Sequence, residues 1–222
     1  MDKKNVVKPL DVPKRLAELG VDEELLVAAA MQGLAAWAGC TAHHPPLYPG
    51  LSAWAETVKA LRDQLVLRSW THSDAGTLSL VINKDDSIAI AVATGNEFTG
   101  DEAHEPCTKS GKGPRTEEAV VVNQLQLFPE MSSILKPVSF EPARTRKTWW
   151  LLVHRDMIAQ ELKCELSHPI NMADDGRIDG WAERIILRST SFGDNDIVLR
   201  DSNSNGPQGN AVDVDVEIKR RA

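Results

Sequence analysis

Two stretches of the chain repeat apolar residues at the spacing of an α-helix. In residues 22–38 the apolar positions fall three or four residues apart, and acidic residues open the run, where the helix dipole favours negative charge. Residues 52–68 show a second stripe of the same kind. The two stripes consist of Leu26, Ala30, Leu34 and Trp37, and of Trp54, Val58, Leu61 and Leu65. Residues 40–50, which contain three prolines, are predicted to be non-helical. Each stripe needs an apolar surface to cover it, so we expect the pair to pack on a sheet.

From residue 77 the apolar period shortens to that of β-strands. Residues 77–82 and 87–93 flank a polar turn and predict a hairpin. Residues 117–128, with Thr116 as the N-cap, predict a short helix. Further β-type runs are residues 147–154, 161–167, 181–189 and 211–220. The last of these alternates valine or isoleucine with charged residues, which is typical of a strand with one buried face.

These elements predict an α+β fold in which an N-terminal helical pair packs on one face of a mostly antiparallel sheet of five to six strands. No βαβ alternation is apparent, so a doubly wound nucleotide-binding fold is not expected. We assign residues 1–12 to a flexible arm and residues 13–222 to a single domain. Within that domain, residues 13–70 form the helical part, and residues 77–222 form the sheet part with a polar loop at residues 96–116.

Composition and charge narrow the setting of the protein. With 42% hydrophobic and 26% charged residues, the chain has the composition of a folded globular protein. Its formal net charge of −7 argues against a broadly basic nucleic-acid-binding protein but is compatible with a local basic patch. Three widely spaced cysteines indicate no disulfide framework, no apolar run is long enough for a membrane span, and the N-terminus lacks the pattern of a signal peptide. We therefore expect a cytoplasmic protein with no membrane partner.

The loop at residues 96–116 is the first candidate for function, because connections of this length in compact domains are commonly functional or disordered. Its second half, TKSGKGPRT, interleaves glycines with Lys109, Lys112 and Arg115 and leads into a predicted helix N-terminus. Backbone amides, a helix dipole and flexible cations together suit a phosphate or an acidic partner. The spacing is not that of a Walker A loop, and a solvated loop without a ligand is the alternative interpretation.

A second basic cluster, Arg144, Arg146 and Lys147, precedes Trp149 and Trp150. Cations beside indole rings are the ingredients of a surface for single-stranded nucleic acid, on which bases stack and phosphates pair. Adjacent residues of a strand point to opposite faces, however, so at least one of the two tryptophans is expected in the core.

Two metal-dependent interpretations compete with simple binding. Asp156, Glu161 and Lys163 follow a D-x4-E-x-K spacing, similar to the D…(D/E)xK arrangement in which two carboxylates of a nuclease hold Mg²⁺ and a lysine orients water. The gap between the two acidic residues is short for such a hairpin. A zinc site could also be drawn from loop residues, although scattered cysteines and histidines are more often not ligands. These residues are Cys40, His43, His44, His104 and Cys107. We expect neither a metal nor another cofactor.

Several runs of the chain resemble uncharacterised accessory proteins of proteobacterial mobile elements. The resemblance is carried by SIAIAVATG, TKSGKGPRTEEAV, WWLLVHRD, ELKCELSHP, GRIDGWAERIIL and VDVDVEIKRR. It covers the chain from about residue 50 to the end. It implies a setting of plasmid, phage or integrative-element biology, near DNA handling or defence, and it implies no catalytic residue.

We interpret the chain as a non-enzymatic binding or accessory protein that engages nucleic acid or a nucleic-acid-handling partner. The residues predicted to bind are Lys109, Lys112, Arg115, Arg144, Arg146 and Lys147. One alternative is a metal-dependent nuclease that uses Asp156, Glu161 and Lys163. Another is a protein–protein subunit of a larger complex.

Overall fold

A computed structural model describes residues 5–128 and 146–192 of the chain. These residues form four α-helices and seven β-strands. The helices are α1 (Val12–Glu18), α2 (Glu23–Ala38), α3 (Tyr48–Leu65) and α4 (Pro114–Leu127). The strands are β1 (Thr71–Ser73), β2 (Leu80–Ile82), β3 (Ile88–Thr94), β4 (Lys147–Asp156), β5 (Glu161–Met172), β6 (Ile178–Ile186) and β7 (Thr190–Ser191). The predicted α+β fold is confirmed.

All seven strands belong to one sheet with the order β1-β2-β3-β4-β5-β6, and β7 pairs with the first residues of β5. Every strand pair is antiparallel except the central one, β3 and β4, which is parallel. The chain passes from β3 through the polar loop and α4 before it reaches β4. The expectation that no βαβ unit is present is therefore wrong at this position, because the long loop hides the alternation in the sequence.

The predicted hairpin agrees with the pairing in the sheet. β2 and β3 pair around the polar turn, with Val81 opposite Ile90. Asn83 holds this turn, because its side-chain oxygen accepts hydrogen bonds from the backbone N–H groups of Ser87 at 2.9 Å and Ile88 at 3.0 Å. β4 and β5, at the β-type runs of residues 147–154 and 161–167, form a second antiparallel pair across a short turn.

Helices α2 and α3 pack on one face of the sheet, the first face, as the apolar stripes predict. Asp22 caps α2, because its Oδ1 accepts a hydrogen bond from Leu25 N at 2.8 Å. Gly33 allows α3 to approach closely, since a Cβ at this position would meet the side chain of Thr57 and the carbonyl oxygen of Ala53. The core of this face includes Leu26, Leu34, Leu61, Leu65, Ile90, Trp149, Leu151, Leu166 and Ile185.

Helix α4 covers the opposite face of the sheet, the second face. It is fixed by the buried Asn123, which accepts a hydrogen bond from Thr148 N at 2.9 Å and donates to the carbonyl oxygens of Thr148 at 2.7 Å and Pro169 at 3.1 Å. A smaller apolar core lies here, formed by Ala91, Ala93, Val120, Trp150, Leu152, Ile178 and Trp181. Trp149 and Trp150 therefore point to opposite faces and are both buried, because both faces of β4 are covered.

Two helix boundaries differ from the predicted ones. Helix α4 begins at Pro114 with Gly113 as its N-cap, so the prediction of Thr116 as the N-cap is wrong, and this threonine is buried inside the helix. Helix α3 includes residues 48–50, which were predicted to be non-helical. Pro49 is tolerated there because an N–H in the first turn of a helix needs no intrahelical partner.

The N-terminal segment lies along the outer edge of β6. Val7 N donates to Arg184 O at 2.9 Å, and Arg184 N donates to Asn5 O at 2.7 Å, so part of the predicted flexible arm extends the sheet. The predicted strand at residues 211–220 lies outside the described residues. Within the described residues, the helices are too short or too polar to cross a membrane.

Candidate binding surface

The loop at residues 96–116 is attached to two strands that are not neighbours in the sheet. Lys109 N donates to Thr94 O at 2.9 Å, at the C-terminal end of β3. The adjacent Thr108 N donates to Ile178 O at 3.0 Å, at the start of β6. The loop therefore covers the second face between β3 and β6, and its backbone is paired at both sides.

A buried ion pair lies beneath this loop. Arg184 donates from Nη2 to Glu165 Oε2 at 2.6 Å and from Nε to Glu165 Oε1 at 3.0 Å, and neither side chain is exposed. The guanidinium also donates to the carbonyl oxygens of Asp101 at 3.0 Å and His104 at 2.9 Å, while Gly100 N donates to Glu165 Oε2 at 2.9 Å. A buried ion pair is tolerated only when its hydrogen bonds are satisfied, and here the loop backbone satisfies them.

The glycine pattern of the loop follows from close packing against the turn between β5 and β6. A Cβ on Gly111 would lie 2.5 Å from the carbonyl oxygen of Asp175. On the other side of this contact, Gly176 has a φ of +78° and accepts a hydrogen bond from Lys112 N at 2.8 Å. Glycine is favoured at both positions because the backbone of the loop lies directly against the backbone of this turn. This contact explains Gly111 without a phosphate ligand.

The three predicted binding cations of the loop differ in their surroundings. Lys109 is exposed. Lys112 Nζ donates to Ser110 Oγ at 3.2 Å, and Arg115 Nη1 forms an ion pair with Glu118 Oε2 at 3.0 Å. Two of the three side chains therefore have polar partners within the chain, and a ligand would have to compete with them.

The second basic cluster is also partly engaged. Arg146 is largely buried, and its Nη2 lies 2.6 Å from Asp86 Oδ1. Lys147 is exposed at the start of β4, and Arg144 lies outside the described residues. The two indole rings behind this cluster are buried, so neither presents a face on which a base could stack.

Lys109 of the first cluster and Lys147 of the second lie at opposite ends of the central strand pair. Lys109 N binds Thr94 O, whereas Lys147 N binds Ser87 O at 2.9 Å. Seven residues separate these two acceptors along the chain, which corresponds to about 23 Å at about 3.3 Å per residue of strand. Among the described residues, Lys109 and Lys147 therefore do not form one basic surface.

The structure brings the three nuclease candidates to the turn between β4 and β5. Asp156 pairs with Glu161 across the hairpin, and Lys163 Nζ lies 2.9 Å from Asp156 Oδ2. Hydrogen bonds from the backbone N–H of Ala159 and from Lys163 lower the pKa of Asp156 to about 2. The Asp156 carboxylate is therefore held by a turn and by a cation of the chain itself.

The residues considered for zinc have other contacts. The ring of His44 stacks on Tyr48 with 4.7 Å between centroids, and His104 Nδ1 lies 2.7 Å from Asp101 Oδ2. In residues 5–128 and 146–192, no three side chains of His, Cys, Asp or Glu are grouped to hold a metal ion. That statement covers Cys40, His43 and Cys107 as well as the two carboxylates of the nuclease interpretation.

Sequence reasoning missed a group of exposed apolar residues at the end of the sheet where β3 and β4 terminate. Met157 and Ile158 occupy the turn directly after β4, and Ile158 is 99% exposed. Leu47, Tyr48 and Leu51 lie at the start of α3, and each exposes more than two fifths of its surface. We call these five residues the apolar end.

Contacts of the neighbouring residues place both parts of the apolar end together. Trp54 Nε1 donates to Val92 O at 3.2 Å, near the end of β3, and Tyr48 precedes Trp54 by about 9 Å along the helix axis. Arg155, two residues before Met157, places its guanidinium 5.6 Å from the ring centroid of Trp37 in α2. The start of α3 and the turn after β4 therefore lie at one end of the molecule.

The first half of the polar loop adds negative charge to this end. Residues 96–105, which we call the acidic half, begin directly after β3 and contain no lysine or arginine. They carry four carboxylates, Glu97, Asp101, Glu102 and Glu105. All but Asp101 are exposed, and Gly100 packs beside Lys163 near the start of β5, so the acidic half lies on the side of the turn that contains Met157 and Ile158.

One signal in the sequence could have indicated the apolar end. The turn between the predicted strands 147–154 and 161–167 contains Met157 and Ile158, whereas turns normally favour glycine, proline and small polar residues. Ile158 at this turn is almost fully exposed and contributes nothing to a core, and Met157 is covered only in part. This exposure therefore suggests a contact outside the chain.

A half-open groove of about 270 Å³ lies between the N-terminal segment and the end of β6. Its walls include Val7, Val12 and Leu187, and its polar groups are those of Glu23, Glu102 and Arg188. Small-molecule sites usually enclose about 300–1,000 Å³ and bury most of the ligand. This groove is smaller and open, so it does not suggest an enclosed reaction site.

Comparisons with protein-family models, with curated proteins and with solved structures gave no match. The functional conclusion therefore rests on the residues and their geometry alone.

Proposed function

We propose that this chain is a non-enzymatic accessory protein that binds another protein through its apolar end. Its role is that of a subunit of a larger complex, the alternative that the sequence left open beside nucleic-acid binding. The observation that carries the proposal is the exposure of five large apolar side chains at one end of the sheet. Exposed apolar groups of this kind are typical of protein interaction sites.

The state of the polar candidates supports binding over catalysis. Among the described residues, Lys163 forms an ion pair with Asp156, Arg146 forms one with Asp86 and Arg115 forms one with Glu118. A catalytic site needs polar groups that converge on a reacting atom. These groups converge on one another instead, and they stabilise turns and loops.

Nucleic-acid binding remains the competing hypothesis, and the exposure of Lys109 favours it. The net charge of −7 and the separation of Lys109 from Lys147 favour a protein partner instead. A setting among mobile elements would be compatible with either partner. That setting, like a cytoplasmic location, remains a hypothesis based on the sequence.

The test compares three forms of the full-length chain: wild type, Ile158→Asp at the apolar end, and Leu67→Asp as a matched control. Leu67 is 85% exposed but follows α3 at its other end. Each tagged form is incubated with a lysate of the source cells, the captured proteins are identified by mass spectrometry, and the principal one is purified. We expect this protein to bind wild type and Leu67→Asp with equal Kd, and Ile158→Asp at least about tenfold more weakly. Equal binding to all three forms, or recovery of nucleic acid alone, would contradict the proposal.

A further inference from the structure

We infer that the partner of the apolar end is a basic protein surface, in which lysine or arginine side chains surround an apolar centre. This inference rests on the proposed function and specifies the chemistry of the partner. It follows from the charge that borders the five exposed apolar residues.

The polar loop has two halves of opposite charge, and the acidic half lies at the apolar end together with Lys109. The acidic half carries four carboxylates and no cation, whereas residues 109–115 carry Lys109, Lys112 and Arg115. The attachment of the loop separates the halves, because it turns at residues 107–109 from β3 towards the start of β6. Lys109 therefore remains at the end of β3 beside the acidic half, whereas Lys112 lies at the turn between β5 and β6.

Two of the three cations of the basic half are balanced by the chain itself. Arg115 is paired with Glu118, and Lys112 packs beside the turn that contains Asp174 and Asp175. Charge that is compensated inside the chain contributes little to the attraction of a partner.

The acidic half is less compensated. Asp101 lies beside His104, while Glu97 and Glu102 extend to the exposed surface. The other charged groups at this end are Lys109, Arg155, Asp156, Glu161, Lys163 and Arg188, which shares the groove with Glu102. Together they carry a net charge of +2, against −4 in the acidic half. The border of the apolar end is therefore negative overall, which would accelerate association with a basic protein and oppose nucleic acid.

The geometry of the two features also agrees with one contact. Protein interfaces commonly combine an apolar centre with a polar border, and the apolar end with its acidic half has this arrangement. A partner with the complementary pattern would bury Ile158 and Met157 and would place its cations next to Glu97 and Glu102. The same surface would exclude acidic partners by charge repulsion.

Three synthetic amphipathic peptides of equal length test this chemistry with the full-length protein. The first has leucines on one helical face and lysines elsewhere, the second replaces its lysines with glutamates, and the third replaces its leucines with serines. Binding is measured by fluorescence anisotropy. We expect the leucine–lysine peptide to bind at least about tenfold more tightly than either of the others. Its Kd should also rise with salt concentration.

Two variants separate this mode of binding from non-specific attraction to an acidic protein. Ile158→Asp adds a negative charge, so charge alone would strengthen binding of the leucine–lysine peptide, whereas our inference requires about tenfold weaker binding. Glu97→Gln combined with Glu102→Gln should raise the Kd of the same peptide about threefold or more. Leu67→Asp should leave the Kd unchanged. Unchanged unfolding midpoints of all variants would show that the fold is retained.

The outcomes distinguish this inference from the proposed function. If both leucine peptides bind wild type equally and neither binds Ile158→Asp, the apolar end binds proteins but does not select basic ones. That outcome overturns only the inference. If Ile158→Asp affects no peptide, or if the leucine–lysine peptide fails to bind, the inference is overturned, and the capture experiment then decides the proposed function. If the chain forms a dimer that dissociates in Ile158→Asp, the surface binds a second copy of the chain, and the inference of a basic partner is overturned.

Discussion

Glu165 and Arg184 join strands β5 and β6 by an ion pair in which the closest nitrogen and oxygen atoms are 2.6 Å apart and no part of either side chain is exposed. The guanidinium reaches two loop carbonyl groups at the same time. We expect Arg184→Met to lower the free energy of unfolding by about 3–5 kcal/mol, because it leaves a buried carboxylate without its cation. Urea unfolding followed by circular dichroism measures the change.

The double variant Glu165→Leu, Arg184→Met is the control for this prediction. It removes both charges, so no uncompensated carboxylate remains, and much of the lost stability should return. A single variant within about 1 kcal/mol of wild type would contradict the structural role of the pair.

Gly111 provides a prediction about the attachment of the loop. Gly111→Ala places a methyl group against the carbonyl oxygen of Asp175, which should destabilise the protein by about 1–3 kcal/mol. Gly50→Ala is the matched control, because a Cβ at that position in α3 would meet no atom within 4 Å beyond the adjacent backbone of its own helix. We expect the control to be neutral or slightly stabilising, since alanine favours helix more than glycine by about 1 kcal/mol. Thermal unfolding of both variants checks the difference, and equal destabilisation would be inconsistent with the close approach.

The buried imidazole of His168 should make the stability of the fold depend on pH. Burial lowers its pKa from 6.5 to about 4, and the nearby cations Lys147 and Arg15 act in the same direction, while Glu183 opposes them. The neutral ring is therefore favoured in the folded state. Its contribution to stability is complete above about pH 6.5 and is lost as the pH falls towards 4, by up to about 3 kcal/mol.

The variant His168→Phe isolates this effect. A phenyl ring can keep the packing on Trp149, whose ring centroid lies 5.0 Å from that of His168, and it removes a buried Nε2 that has no hydrogen-bond partner. We expect the variant to match wild type at pH 7 and to be more stable at pH 4.5. Unfolding by urea at a series of pH values measures this, and parallel pH profiles would refute it.

The loop cations predict a small salt dependence if nucleic acid binds at all. Each phosphate contact adds about 0.9 to the slope of log K against log salt. Because Lys112 and Arg115 have partners in the chain, we expect the triple change of Lys109, Lys112 and Arg115 to alanine to lower the slope by about one unit and not by three. Lys84→Ala, in the β2–β3 turn, is the control. A loss of nearly three units would mean that both side chains leave their partners to bind phosphate.

The local elements could be predicted from the sequence because their patterns are local. Residues 22–38 and 52–68 carry one apolar stripe each, and the structure has α2 and α3 there, on one face of the sheet. The strand at residues 147–154 follows from its apolar run. The helix α4 was also predicted, but with Thr116 as its N-cap, whereas it begins at Pro114, and proline in the first turn is itself a typical signal of a helix N-terminus.

The contacts between distant parts of the chain could not be predicted. Nothing near Glu165 in the sequence indicates that Arg184 and the backbone of the loop will surround it, because the pairing depends on the register of two strands. The parallel neighbours β3 and β4 are equally hidden, since residues 95–146 separate them. The apolar end combines a helix start with a hairpin turn, and this proximity exists only in three dimensions.

The parallel pairing at the centre of the sheet also determines the order in which the protein can assemble. Strand β3 ends at Thr94, but its parallel neighbour β4 begins only at Lys147. During synthesis the first 94 residues therefore leave the ribosome while the edge of β3 that faces β4 is still unpaired. Pairing this edge requires residues 95–146 to close into a loop, and the chain entropy is lost before any hydrogen bond between the two strands is gained. We expect folding to be slow for a domain of this size. We also expect the partly synthesised chain to depend on chaperones that cover this strand edge until the rest of the chain has been translated.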